Sequence, residues 1–237
     1  MAELRRVTSL RLRLSEEPWA FADGQQQEIA SYFAKAREAN PTLWNGRILL
    51  CRRPDVRGDV FCADFFEADF ASFLAWRDWG FPDKAVFNCS GGGALRSADG
   101  AFVLGRMSAH TVNAGLVCFP AGMPDASDLR NGEVDLAASV TRELEEEIGL
   151  KSSDYETLAG WTIVTSGQIC ACLRSLRSPL AAEPLKLRIE EFLRRETAPE
   201  LCEVKLVRSP ADFEPAMPSI VTTFLRHALV LRDGEGD

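Results

Sequence analysis

Hydrophobic and polar positions alternate along Val7–Leu14, which predicts a half-buried strand. A longer helical period over Gln25–Asn40 predicts a helix that stops before Pro41, as helices tend to. Short apolar runs at Arg47–Cys51 and Asp59–Phe66 read as strands. Ala68–Trp79 reads as a helix whose apolar side is Phe70, Phe73, Leu74 and Trp76. From Ala85 the pattern turns to strands: Ala85–Ser97 and Ala101–Ser108 flank Ala98-Asp99-Gly100, where the Asp-Gly pair favours a tight hairpin turn. Gly115–Phe119 follows as a strand and Asp135–Ile148 as a helix. Tyr155–Thr165 and Ile169–Ser175 read as strands joined through Ser166-Gly167, Ala182–Glu196 as an amphipathic helix, Glu200–Val207 as a strand and Ser219–Leu231 as a closing helix. Strands and helices interleave, so the fold class is α/β, with helices packed on a mixed sheet. The turn-rich DWGFPDK stretch divides residues 1–84, an N-terminal α/β extension packed on the core, from residues 85–237. The terminal GEGD is expected to fray.

One stretch conflicts with ordinary helix chemistry. In Arg142–Leu150, RELEEEIGL, a rotation of about 100° per residue places Glu143, Glu146 and Glu147 on one stripe, beside an apolar stripe of Val140, Leu144 and Ile148. Gly149 suits the left-handed position that closes a helix. The last two of these acids therefore lie in the final turn, where the helix dipole disfavours each exposed carboxylate by about 0.3–1 kcal/mol. Arg142 is the only cation within the segment. A solvated acidic face is the ordinary explanation of such a run. A divalent ion held through oxygen offsets that penalty and the mutual repulsion of the acids.

RELEEEIGL resembles the second half of the Nudix signature, R-E-U-x-E-E-x-G-U with U apolar, at every fixed position, and Pro120-Ala121-Gly122 resembles that family's PGG turn. The first half departs from the pattern. Where the family has a glutamate eight residues before the arginine stands Val134, flanked by Glu133 and Asp135, and Gly122 lies six residues further upstream than the family spacing. The intervening MPDASDLRNGEVD reads as an enlarged loop ending at a helix N-cap, Asp135. Whether Glu133 or Asp135 replaces the missing acid is open at this level.

The resemblance covers about the last 150 residues of 237 and implies a Nudix-type α/β/α sandwich. It implies Mg²⁺, with Mn²⁺ as an alternative, held by Glu143, Glu146, Glu147 and Gly122, with Arg142 orienting a metal carboxylate. It also implies hydrolysis of the diphosphate in a small-molecule nucleoside diphosphate derivative. Arg106, closing FVLGRMS, resembles the basic residue that contacts substrate phosphate, and Glu200 and Glu203 resemble the late acids of the family. Trp79 and Phe81 in WGFPDK are candidates to stack on a nucleobase, against the ordinary reading of packed aromatics. The extension, the hairpin and the long PAG loop together resemble a subgroup cleaving UDP-glucose and UDP-galactose to UMP and sugar 1-phosphate. The alternative is a fold retained as a non-catalytic nucleotide sensor or interaction module, since fold alone does not establish activity.

Bulk properties narrow the field. A net charge of −8 argues against duplex DNA as a partner. No apolar run reaches the roughly 18–20 residues of a membrane span, and MAELRRVTSL lacks a secretory signal pattern. Seven scattered cysteines suggest reduced thiols in a cytoplasm. Cys170 and Cys172 share a strand face, but two thiolates do not make a zinc site. With only His110 and His227, a histidine-based triad is not indicated. Ser90-Gly91-Gly92-Gly93 lacks the Lys-Ser/Thr of a phosphate loop, so close backbone approach explains it better. A homodimer is compatible with the sequence.

Overall fold

The computed structural model describes residues 2–233, so the GEGD tail lies outside the described residues. The chain opens with strands β1 (Glu3–Val7) and β2 (Ser9–Leu14), helices α1 (Ala20–Gly24) and α2 (Gln26–Ala39), strands β3 (Arg47–Arg57) and β4 (Val60–Asp69), and helix α3 (Phe70–Asp78). Strands β5 (Val86–Arg96), β6 (Phe102–Met107), β7 (Val117–Cys118), β8 (Ala121–Gly122), β9 (Leu129–Arg130) and β10 (Glu133–Val134) lead to helix α4 (Leu136–Ile148). Strands β11 (Glu156–Thr157), β12 (Trp161–Ser166) and β13 (Ile169–Arg177), helix α5 (Ala182–Leu193), strand β14 (Leu201–Val207) and helix α6 (Ser219–Asp233) complete it.

These strands form one continuous mixed sheet whose main path runs β1-β12-β13-β5-β3-β4-β2-β10-β9, with β6, β7, β8, β11 and β14 paired alongside it. The pairs β13/β5 and β2/β4 are parallel and the others antiparallel. Helices cover both faces. Leu136, Val140, Leu144 and Ile148 of α4 join Leu185, Ile189 and Leu193 of α5 in one core. On the opposite face Phe224 and Leu225 of α6 pack with Phe102, Leu104, Val164 and Leu173. The expected α/β class, helices on a mixed sheet, is therefore present.

Two expected strands are divided. Val7–Leu14 breaks at Thr8, whose N–H and hydroxyl both bond Asp59, so β1 joins β12 while β2 joins β4. Alternation fixes which side chains are buried but not which strand is the partner, so the exchange leaves no mark in the pattern. Tyr155–Thr165 is interrupted at Gly160, whose φ of 79° lies in the left-handed region.

The expected hairpin turns through Ser97–Ala101, but its strands share only the pair Arg96↔Phe102 before parting. β5 then borders β13, β3 and β8, whereas β6 borders β14 and β7. The glycines of β5 explain its position. A Cβ at Gly91 would stand 3.1 Å from Val140, and one at Gly93 would stand 3.1 Å from Leu144, so bare backbone lets α4 lie close to the sheet.

The enlarged loop contains its own hairpin. Asn131 and Gly132, with φ of 53° and 79°, connect β9 to β10. Asn-Gly is the sequence pair that favours such turns, so this hairpin was present in the pattern and missed.

Leu144, fully buried between α4 and the glycines of β5, is the side chain that fixes the helix height. Leu144→Ala is expected to cost about 2–5 kcal/mol in urea unfolding, because the strands beneath cannot collapse to fill the gap.

Candidate functional site

Helix α4 is anchored at both ends. The Asp135 carboxylate accepts from the N–H groups of Ala137 and Ala138 at 3.1 and 3.0 Å, as the N-cap reading requires. Gly149 closes the helix at φ 68°, and the Leu150 N–H returns to the Leu144 carbonyl at 3.1 Å. This fixes the rotation of the helix, and with it the direction of each glutamate.

The three acids do not share one environment. Glu143 and Glu147 lie on the packed side, 8% and 4% exposed, whereas the Glu146 side chain is 61% exposed. The rotation explains the split: Glu147 and Glu143 flank the apolar stripe and Glu146 falls beyond them. The Glu143 carboxylate lies against Gly122 of β8, where any Cβ would overlap it. Glu147 accepts from the Ala121 N–H at 3.4 Å. The Pro-Ala-Gly turn therefore forms the cradle for both buried carboxylates, and its glycine is required by space.

Burial drives both acids toward the neutral form. Desolvation, only partly opposed by Arg142, pushes the Glu143 carboxyl up to about 7. Glu147 is held well above the usual carboxylate range by desolvation, then by the neighbouring charges of Glu143 and Glu200. Glu200, exposed at the head of β14, is thus within electrostatic reach of both. Cys118, on the strand before the turn, is raised to about 11 by burial and by Glu147.

Arg142 is the local counter-charge. It pairs with Glu143 at 2.8 Å, Glu146 at 3.2 Å and Asp128 at 3.1 Å. Asp128, 2% exposed, also accepts from the Asp125 N–H at 3.0 Å, so it ties the enlarged loop to the helix. Neither flanking acid does this. Glu133 is exposed in β10, Asp135 caps the helix, and Val134 is buried in the core. Sequence reasoning missed Asp128 because only the folded loop brings residue 128 to residue 142. The polar loop composition gave no signal of it.

The remaining candidates lie elsewhere or are engaged. The Arg106 guanidinium donates to Glu203 at 2.9 Å, Glu214 at 2.6 Å and the Gly115 carbonyl at 3.1 Å. Lys205 bridges the same two acids, so Glu203 belongs to this network. Trp79, 38% exposed at the end of α3, packs edge-on against Phe21 and Tyr32. Phe81 packs edge-on against Trp76 at 4.7 Å.

Hard oxygen donors, two of them buried with a single arginine as counter-charge, fit a divalent cation such as Mg²⁺. Among the described residues no three acids bring one carboxylate oxygen each within 4.8 Å of one another, and Glu146 is held by Arg142.

No family model and no curated protein matches the chain. Solved structures give partial likenesses. A Nudix hydrolase from M. smegmatis, RenU, is 16% identical over 63% of this chain and 90% of its own, with a TM-score of 0.39. A MutT protein from Methanosarcina mazei is 17% identical over 62% and 95%, with a TM-score of 0.40. The pyrophosphohydrolase BsRppH of Bacillus subtilis is 13% identical over 66% and 86%, with a TM-score of 0.38.

Two outcomes follow from this geometry. A carboxyl whose folded value is raised adds stability that is full below its unfolded value, about 4.5 for Glu143, and is gone above about 7. Metal-free protein is therefore expected to melt at progressively lower temperature as pH rises from 4.5 to above 7. Mg²⁺ should restore Tm at pH 8 and not at pH 5, and Glu143→Gln should flatten the profile. Asp128→Asn, which leaves Arg142 without its buried carboxylate, is expected to lower unfolding free energy by about 1–3 kcal/mol in urea titrations.

Proposed function

We propose that this chain is a Nudix-type pyrophosphohydrolase. In this reading residues 85–237 form the hydrolase domain, residues 1–84 are an extension, and the substrate is a nucleoside diphosphate linked to a second group. The observation that carries it is the pair of desolvated carboxylates, Glu143 and Glu147, seated in the Pro-Ala-Gly cradle of a chain that reads RELEEEIGL.

Glu143, Glu147 and the more exposed Glu146 would hold Mg²⁺ or Mn²⁺, with the Gly122 backbone alongside. When bound, the ion neutralises diphosphate charge and acidifies a water molecule. Arg142 orients Glu143 and Glu146, and Asp128 orients Arg142 from within the loop. Glu200, exposed at the head of β14 and within electrostatic reach of Glu143 and Glu147, is suited to accept the proton of water attacking phosphorus in line. The Arg106 network stabilises the strand end instead of presenting a free guanidinium, so recruiting Arg106 to a phosphate requires an exchange of partners.

The UDP-sugar assignment rests on the resemblance of the extension, hairpin and long loop. A nucleotide sensor without catalysis is the competing reading, and Val134 favours it, since a buried valine occupies the position of a family acid.

Incubation with Mg²⁺ and a panel of nucleoside diphosphate derivatives separates these readings. UDP-glucose is expected to give UMP and glucose 1-phosphate, with kcat reduced about 10²–10⁴-fold in Glu147→Gln. Turnover of another nucleotide removes the sugar assignment alone. Nucleotide binding by calorimetry without Mg²⁺, and without any product, replaces the hydrolase by the sensor.

A further inference from the structure

The segment between α2 and β3 presents a tryptophan to solvent and holds it there. Trp44 is 80% exposed, more than any other large apolar side chain among the described residues. A lone exposed aliphatic such as Leu187 or Val230 is ordinary on a protein surface. Trp44 differs because the backbone on both sides of it is tied down. On one side the Asn40 side chain donates to the His110 carbonyl at 2.7 Å, the Thr42 hydroxyl donates to the Asn40 Oδ1 at 2.6 Å, and Leu43 and Val112 pack against the cluster of Ile29 and Phe33. On the other side the Asn45 Oδ1 accepts from the Ala71 N–H at 2.7 Å, and the Gly46 carbonyl accepts from the Phe70 N–H at 2.9 Å. The indole rests on Gly46, where any Cβ would overlap the ring. Gly46 does not take a positive φ, so what glycine supplies here is room for the ring.

This loop lies between two segments that border the buried carboxylates. His110, to which it is bonded, follows three residues after β6, the strand that carries Arg106. Beyond Gly46, the Leu49 N–H of β3 donates to the Pro124 carbonyl at 2.7 Å. Pro124 is two residues past Gly122, against which Glu143 lies, and Met123 packs in the same cluster as Ile48. Five residues of extended chain reach about 18 Å at most, so Trp44 stands within that span of Leu49.

We propose that Trp44 is the platform on which the substrate's nucleobase stacks, with the diphosphate extending from it towards Gly122 and the carboxylate pair. The assignment rests on the reading of the substrate as a nucleoside diphosphate derivative. Stacking needs only a flat π-face, which every base has. The exposed chain neighbours Thr42, Asn45 and Arg47 are polar, so the loop offers one planar ring. A protein interface centres instead on a cluster of apolar anchors. The other aromatic candidates of the extension are engaged, Trp79 with Phe21 and Tyr32, and Phe81 with Trp76. A ring already held in place also avoids much of the ordering cost of binding.

The full chain titrated with UDP, ADP, CDP and GDP in the presence of Mg²⁺, by calorimetry and by tryptophan emission, tests the platform. At least one nucleotide is expected to bind and to quench emission. Trp44→Ala should weaken that binding about 5–150-fold at unchanged stoichiometry. Trp44→Phe, which keeps a stacking face, should bind within a few-fold of wild type and lose most of the quench. Unchanged affinity in Trp44→Ala, or a quench that persists in nucleotide-bound Trp44→Phe, overturns the platform and leaves the hydrolase standing if product still forms. Binding that depends on Trp44 without hydrolysis of any derivative keeps the platform and removes the hydrolase. Failure of all four nucleotides to bind wild-type protein overturns both.

Discussion

The energetic pressure in this molecule comes from two carboxylates held out of water with too little positive charge to match them. Glu143 and Glu147 occupy the packed side of α4, and Arg142 is shared among Glu143, Glu146 and Asp128. A buried, partly compensated charge is costly by several kcal/mol unless it is protonated or joined by a cation. Much of the surrounding architecture serves this arrangement. The glycines of β5 lower the helix onto the sheet, Gly122 leaves room for a carboxylate in place of a methyl group, and the caps at Asp135 and Gly149 fix the helix rotation.

The sequence made the helix legible and its surroundings only in part. Period, N-cap, C-cap and acidic stripe were readable because all depend on neighbours within a turn or two. The division of the stripe into two buried acids and one exposed acid depends on how α4 is seated against β5. That close approach is permitted by Gly91 and Gly93, whose purpose a glycine run alone does not reveal. The parting of β5 and β6 after one pair is likewise decided by β13, β14 and β8, which compete for their edges.

Asp128 shows the same limit at the level of a single residue. The spacing pattern leads to Val134 and its two neighbours, yet the acid that meets Arg142 comes from a short turn six positions earlier, folded back by the Asn131-Gly132 hairpin. The cysteine cluster was out of reach of the pattern for the same reason. Cys170 and Cys172 are adjacent in pattern, but Cys89 joins them only through the order of strands in the sheet.

The separation of β1 from β2 has a consequence for biosynthesis. Residues 3–7 pair with residues 161–165, while residues 9–14 find their partner at 60–65. As the ribosome extends the chain, the second pairing can close early, but residues 3–7 stay without their partner until residues 161–165 have emerged. Closing so long a loop carries a large entropic cost and slows folding. Final assembly of this sheet edge is therefore a late event, in which β1 waits for the arrival of β12.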